Sequence, residues 1–397
     1  MIAIQYLEPG PGITTINPAE ARRKLRLAFE RLPITAVLLG WRLPPDLLEA
    51  CAEETQRHRA HLYLWQPVFA GDGVLLPEPG WQVTGLNDNR LAGFRGMPEF
   101  TFFCPNKPAA RQAVLSHIET VLQTGAYQGI FLDRIRFPSP AADPTQLLAC
   151  FCPDCRTAAA QQGLDLDEVK QLIRALIVQP GGGACLLRHI LADAGSALDA
   201  GFNDLALLDR FMQFRKHSVA RLVEAAARLV RGHALLVGLD CFSPCLSGLV
   251  GQDLAELSAC CDWIKVMSYA HTFAPAGLPF ELLALTTWLE KQDGLDEQTA
   301  LRVVAQTTNL PLPASRESLH RNGLSSQALG VEIRRARTLG VNRLLAGIEL
   351  VDLPGVTRLN SAQIRSDLAE FQAAGVDGLV LSWDLWHIPL KRLDLIP

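Results

Sequence analysis

Along the 397 residues, short apolar runs alternate with longer stretches in which apolar residues recur every three or four positions. An apolar run of four to eight residues bounded by turn formers reads as a buried strand, and the longer periodic stretch as an amphipathic helix. The strand candidates are residues 2–7 (IAIQYL), 34–40 (ITAVLLG), 61–68 (HLYLWQPV), 128–133 (QGIFLD), 234–240 (ALLVGLD), 262–268 (DWIKVMS), 343–349 (RLLAGIE) and 378–384 (GLVLSWD). Between them the pattern predicts helices. One opens at Asn17-Pro18, an N-cap followed by proline at the first helical position. Others cover about 45–58, 107–123 and 157–230, the last broken near the PGGG of 180–183. A mostly helical stretch runs to about 339, and a final helix opens near 361.

Strands that alternate with helices predict a parallel sheet with helical crossovers. Eight such units specify an α/β fold, a (β/α)8 TIM barrel spanning 1–397 as one domain. The surplus helical sequence predicts insertions after strands 4 and 6, at about 140–205 and 270–340. The rival, a doubly wound open sheet, usually has a glycine-rich phosphate loop after strand 1. Here EPGPG at 8–12 lacks the G-x-G-x-x-G spacing, and its prolines remove amide donors.

Composition narrows the function. With 49% hydrophobic and 20% charged residues the chain is globular in type, and a net charge of −4 gives no basic footprint for nucleic acid. No apolar run reaches the ~18 residues of a membrane span. The first residues, MIAIQYLEPGPG, carry no basic segment ahead of an apolar core, so no secretory signal is expected and a cytoplasmic location is the default.

In such a barrel the active site lies at the C-terminal ends of the strands. Four acids fall there: Asp133, Asp240, Glu349 and Asp384. Lys265 and Tyr269 accompany strand 6, Trp65 lies near the end of strand 3, and Trp383 flanks the last acid. Carboxylates interleaved with aromatics suit sugar chemistry. Cleavage of a glycosidic bond needs one carboxyl to protonate the leaving oxygen and a second to attack the sugar or activate water. Aromatic faces pack on sugar rings. The competing reading is that a strand-end aspartate beside an arginine is an ion pair that closes a loop.

The stretch FLDRIRFP (131–138) resembles the strand-4 motif of bacterial glycoside-hydrolase-like barrels, and VGLDCFSP (237–244), DWIKVMSY (262–269) and GLVLSWDLWHIP (378–389) are similar to later stretches of the same group. The resemblance implies a carbohydrate-active barrel of unspecified substrate. An aspartate ending strand 4 also resembles the nucleophile of α-amylase-like and α-galactosidase-like barrels. A glutamate ending strand 7 resembles a catalytic residue of another large group, so the chain matches neither scheme in full. The expectation is that Asp133 is the nucleophile, with Glu349 the favoured proton donor and Asp240 second. Arg134, Arg136, Lys265, Tyr269, Trp65, Trp383 and Asp384 are expected to contact substrate. If the strand persisted, Arg134 and Arg136 would point away from Asp133; only a bend after Leu132 would bring either round.

Ten cysteines are many for a reducing compartment, where clusters suggest metal or catalysis. Cys150, Cys152 and Cys155 form C-x-C-x-x-C, spacing that lets three thiolates reach one metal from a tight turn. Spacing leaves the fourth ligand open, and Cys104, ahead of strand 4, is the topological candidate. Family-42 β-galactosidases resemble this chain in carrying a lone cysteine before strand 4 and a C-x-C-x-x-C run after it. That resemblance implies a structural zinc. Two rivals for the function stand beside the hydrolase. One is a carbohydrate-binding barrel that lost its acid/base geometry. The other, a metal-dependent amidohydrolase, needs a strand-borne His-x-His that the nine histidines do not form. Sugar identity, stereochemical outcome and oligomeric state are not encoded in any of these patterns.

Overall fold

The computed structural model describes residues 1–10, 12–71, 78–141, 144, 148–191 and 205–397. Eight parallel strands close a barrel in chain order: β1 (Ile2–Tyr6), β2 (Ala36–Leu39), β3 (His61–Pro67), β4 (Gly129–Asp133), β5 (Leu236–Cys241), β6 (Trp263–Val266), β7 (Leu344–Glu349) and β8 (Gly378–Ser382). Each lies within an apolar run predicted from sequence or within one residue of it. β1 pairs with β8 through Ile2↔Leu379 to Ile4↔Leu381, which closes the sheet and leaves no edge.

Four helices lie between β4 and β5 among the described residues (Pro153–Ala160, Leu166–Ile177, Gly182–Leu191 and Leu205–Gly232), and four between β6 and β7 (Leu278–Asp293, Glu297–Thr308, Arg316–Asn322 and Ser326–Thr338). Part of the insertion expected at 140–205 falls outside the described residues. Most helix starts follow the rules that predicted them. Asn17 caps Ala19 N–H with proline next in line, and Asn360 with Gln363 forms a reciprocal capping box. No described helix is long and apolar enough to cross a membrane.

The barrel interior is filled by side chains in layers. At its lower level Trp263 stacks on Phe131 with centroids 5.2 Å apart and meets Tyr63 edge-on at 5.7 Å. Gly238 makes room for the Trp263 indole, because a Cβ there would overlap the ring. One level higher the interior turns polar. Gly347 lets the Lys265 chain pass, since a Cβ on it would come within 2.7 Å of Lys265 Cε. A substituted residue at 347 would displace the ammonium that the site is built around.

Candidate active site

The polar level opens into a cavity of about 590 Å³, within the usual range for small-molecule sites. Parallel register decides which acids reach it. Pro67 pairs with Asp133, Leu132 with Leu239, and Asp240 with Lys265. Asp133 and Asp240 are therefore successive members of one row, on neighbouring strands about 4.8 Å apart, with Lys265 next. All three line the cavity and are at most 6% exposed.

Asp133 is held from two sides. Trp65 Nε1 donates to Oδ2 at 2.8 Å, and the Arg134 backbone N–H donates to Oδ1. Arg134 has φ of 53°, a left-handed conformation uncommon outside glycine. That bend answers the question of side-chain direction. It turns the guanidinium back, so that Nε lies 4.0 Å from Asp133 Oδ2 and Nη2 donates to Glu8 at 2.9 Å. The same group sits 5.3 Å from the Trp41 ring centroid. Leu7 (59°) and Arg42 (54°) bend the exits of β1 and β2 in the same way. Three such conformations ringing one cavity are the kind of local strain that gathers at functional sites.

Asp240 is in a different environment. Its Oδ2 accepts from Lys265 Nζ at 2.8 Å, while Oδ1 is buried with no donor among the described residues. Burial pushes its carboxyl up to about 7; Asp133 adds to the rise and Lys265 opposes it. Lys265 also donates to Gln5 Oε1 at 3.0 Å, and Ser382 Oγ reaches the same oxygen at 2.9 Å. Burial works against the lysine's charge, but Asp240 holds it above its ordinary value. Tyr269, beside it, is pushed up to about 12 by burial.

The other two strand-end acids are elsewhere. Glu349 does not line the cavity. Its carboxylate accepts the His271 N–H at 3.0 Å and the Thr272 hydroxyl, holding the loop after β6 in place. Burial raises it to about 7 as well. Asp384 accepts three backbone N–H groups, from Leu7 (2.9 Å), Glu8 (3.1 Å) and Trp386 (2.9 Å). It fixes the exit of β1 rather than facing the cavity, so the expectation that it contacts substrate does not fit its position. Trp65, Arg134, Arg136, Lys265, Tyr269 and Trp383 all line the cavity. Sequence reasoning passed over Gln5, Glu8, Glu99 and Phe100, which also line it. Gln5 and Glu8 carried a signal: a polar residue inside the first apolar run, and an acid immediately past its end. Glu99 and Phe100 lie in the long loop after β3, where no periodicity marks them.

The four cysteines gather in one buried group. Cys104, Cys150, Cys152 and Cys155 have sulfurs within 4.8 Å of one another, with Cys104 to Cys155 at 3.3 Å and to Cys152 at 3.7 Å. Four sulfurs about 2.3 Å from a tetrahedral ion would lie about 3.8 Å apart, so the set can hold a metal. The sulfurs also accept amide donors: Thr84 N–H on Cys150 (3.2 Å), and Asn106 N–H on Cys104 (3.4 Å) and Nδ2 on Cys155 (3.3 Å). Such outer donors orient metal-bound thiolates. The cluster joins the loop after β3 to the segment after β4. Cys104 N–H bonds Trp81 O and Phe151 N–H bonds Thr84 O. The β3 loop is the one that brings Pro98, Glu99 and Phe100 to the cavity wall.

The fold places the chain among known barrels. It is similar to the glycoside hydrolase domain of PgaB (BpsB) from Bordetella bronchiseptica, at 14% identity, covering 97% of this chain and 94% of that one, with a TM-score of 0.56. It is also similar to α-L-fucosidase isoenzyme 2 from Paenibacillus thiaminolyticus (12% identity, 99% of this chain and 47% of that one, TM-score 0.54). A third is the β-galactosidase of the psychrophilic Marinomonas ef1 (11%, 99% and 58%, TM-score 0.54). In the latter two the chain spans about half of the longer protein. At these identities the likeness is one of fold. No family model matches the sequence, and no curated protein matches it.

Proposed function

We propose that this protein is a glycoside hydrolase whose working carboxylates are Asp133 and Asp240. The observation that carries the reading is their adjacency on one row of the cavity floor in opposite surroundings. Asp133 is fixed by N–H donors and a guanidinium, while Asp240 is raised toward neutrality by burial. A raised carboxyl that can donate a proton, beside a second carboxylate on the same cavity floor, is the combination that glycosidic cleavage needs. The three structural relatives are named for cleaving or carrying glycosidic activity, which supports the same class.

In this reading Asp240, protonated below about pH 7, gives its proton to the glycosidic oxygen as the bond to the anomeric carbon breaks. Asp133 attacks that carbon. Asp240, now a carboxylate, takes a proton from the water that releases the sugar from Asp133. The neighbouring-strand spacing favours the ~5–5.5 Å separation of a retaining pair over the ~6.5–9.5 Å of an inverting one. Asp240 thus replaces Glu349 as the donor, because Glu349 is taken up by the loop after β6. Trp41, Tyr269 and Trp383 line the cavity and supply aromatic surface for the sugar to pack against.

The test is a screen of nitrophenyl glycosides with wild type, Asp133→Asn and Asp240→Asn. Release by the wild type, lost in both variants, is expected. Glycan binding without any release would move the reading to a binding barrel. We further propose that the cysteine cluster holds a structural zinc. Four sulfur ligands close the coordination shell, so the ion would brace the β3 loop and take no part in chemistry. Metal analysis should find one zinc per chain, and none in Cys152→Ser. All ten cysteines are unpaired, which fits a reducing compartment such as the cytoplasm.

A further inference from the structure

Three cations line the cavity, and two are engaged by acids. Arg134 pairs with Glu8, and Lys265 with Asp240. Arg136 differs. It is 3% exposed, yet no carboxylate lies within ion-pair distance of it among the described residues. Nη1 donates to the carbonyl of its own neighbour, Phe137, at 3.1 Å, and Nε is buried with no acceptor. The guanidinium lies 4.7 Å from the Phe102 ring centroid and 4.8 Å from that of Phe242. Burial, helped by the neighbouring Arg134, lowers its hold on the proton to about 10, although Glu281, Asp133 and Asp240 act in the opposite direction.

A buried arginine with an unfilled N–H is costly unless something completes it. The two rings fix the guanidinium, so any acceptor must approach in its plane along the fork. An oxyanion with two oxygens matches that fork, which a single hydroxyl does not. We infer that Arg136 is a specificity-determining residue that receives a carboxylate or sulfate substituent of the sugar, making acidic glycosides the substrate class. This rests on the glycoside hydrolase reading above and narrows it. No new bond is made by Arg136; its part is to bind and orient the ring over Asp133 and Asp240.

The experiment compares paired ligands differing in one substituent, with Asp133→Asn used for binding so that nothing is consumed. Calorimetry would measure glucuronide against glucoside, and a 6-sulfated against an unsulfated sugar, which separates the two oxyanion sources. The expected result is binding of one acidic member at least about tenfold tighter than its neutral partner, the size of a charge-assisted contact. Arg136→Gln should remove that difference by weakening the acidic member about tenfold or more. Arg136→Lys, which keeps the charge and loses the fork, should recover only part of it. Equal or tighter binding of both neutral sugars by the Asp133→Asn protein overturns the inference and leaves the hydrolase reading intact. No binding and no wild-type cleavage of any glycoside overturns both. The comparison within one folded protein decides the matter even where Arg136 variants fail to fold.

Discussion

Two halves of the barrel mouth treat their carboxylates differently. On the β7–β8 side, Glu349 and Asp384 face backbone N–H groups of neighbouring loops. On the β4–β5 side, Asp133 faces an indole and a guanidinium, and Asp240 faces an ammonium with one oxygen left open. Burial does not separate the pairs, since all four are at most 6% exposed. Position does, and the balance of donors follows it. Glu349 and Asp384 lie away from the cavity and are filled mainly by backbone amides, with the Thr272 hydroxyl added at Glu349, so they brace the chain. Asp133 and Asp240 border the cavity and are held mainly by side chains, so they can exchange a proton or accept a ligand.

The largest effect should come from neutralising the second kind. Asp133→Asn and Asp240→Asn should each lower glycoside cleavage by about 10²- to 10⁴-fold in protein that still folds. The same loss from Glu349→Gln, with stability unchanged, would erase the distinction. Next in size, Glu349→Gln and Asp384→Asn should cost about 1–3 kcal/mol in denaturant unfolding, the expected penalty for removing a buried charged acceptor. If unfolding is unmoved in both, those residues are not braces.

A smaller and sharper test is pH. With Asp240 acting as the acid at about 7, kcat/KM should fall as pH rises through 7. Lys265→Met removes the cation that opposes protonation, so the falling limb should move up by about one unit or more. A limb that stays put assigns the proton elsewhere. Stability carries the same signature. A carboxyl whose folded value lies above its unfolded ~3.9 binds more protons when folded, so it stabilises the native state below ~4. That contribution is lost as pH rises from about 4 to about 7, and Asp240→Asn should flatten the corresponding slope of unfolding free energy.

Much of this was legible in the sequence. The eight strands were visible because each is a short, mostly apolar run between helical patterns, and their ends placed four acids at the mouth. Which two acids face the cavity was not legible. Asp240 and Glu349 look alike in VGLD and AGIE; what separates them is that the loop after β6 folds back to present His271 N–H and the Thr272 hydroxyl to Glu349. That is a tertiary fact with no local period. Arg134 could not be oriented from its position in the strand, since the outcome hung on a left-handed residue that the sequence does not announce. The place of Cys104 beside the C-x-C-x-x-C run followed from topology, because strand order fixes which loops meet.

The closure of β1 on β8 has a consequence for the order in which this protein becomes competent during synthesis. Gln5 shares its oxygen with Ser382, 377 positions later, and Leu7 and Glu8 are held by Asp384. Until the last strand leaves the ribosome, β1 has an open edge, and the Glu8–Arg134 side of the cavity has no anchor. The nascent chain therefore carries an exposed strand edge through most of its translation, a surface that chaperones recognise and that invites aggregation. A chain released before residue 384 would have both Asp133 and Asp240 and still lack the wall that positions them.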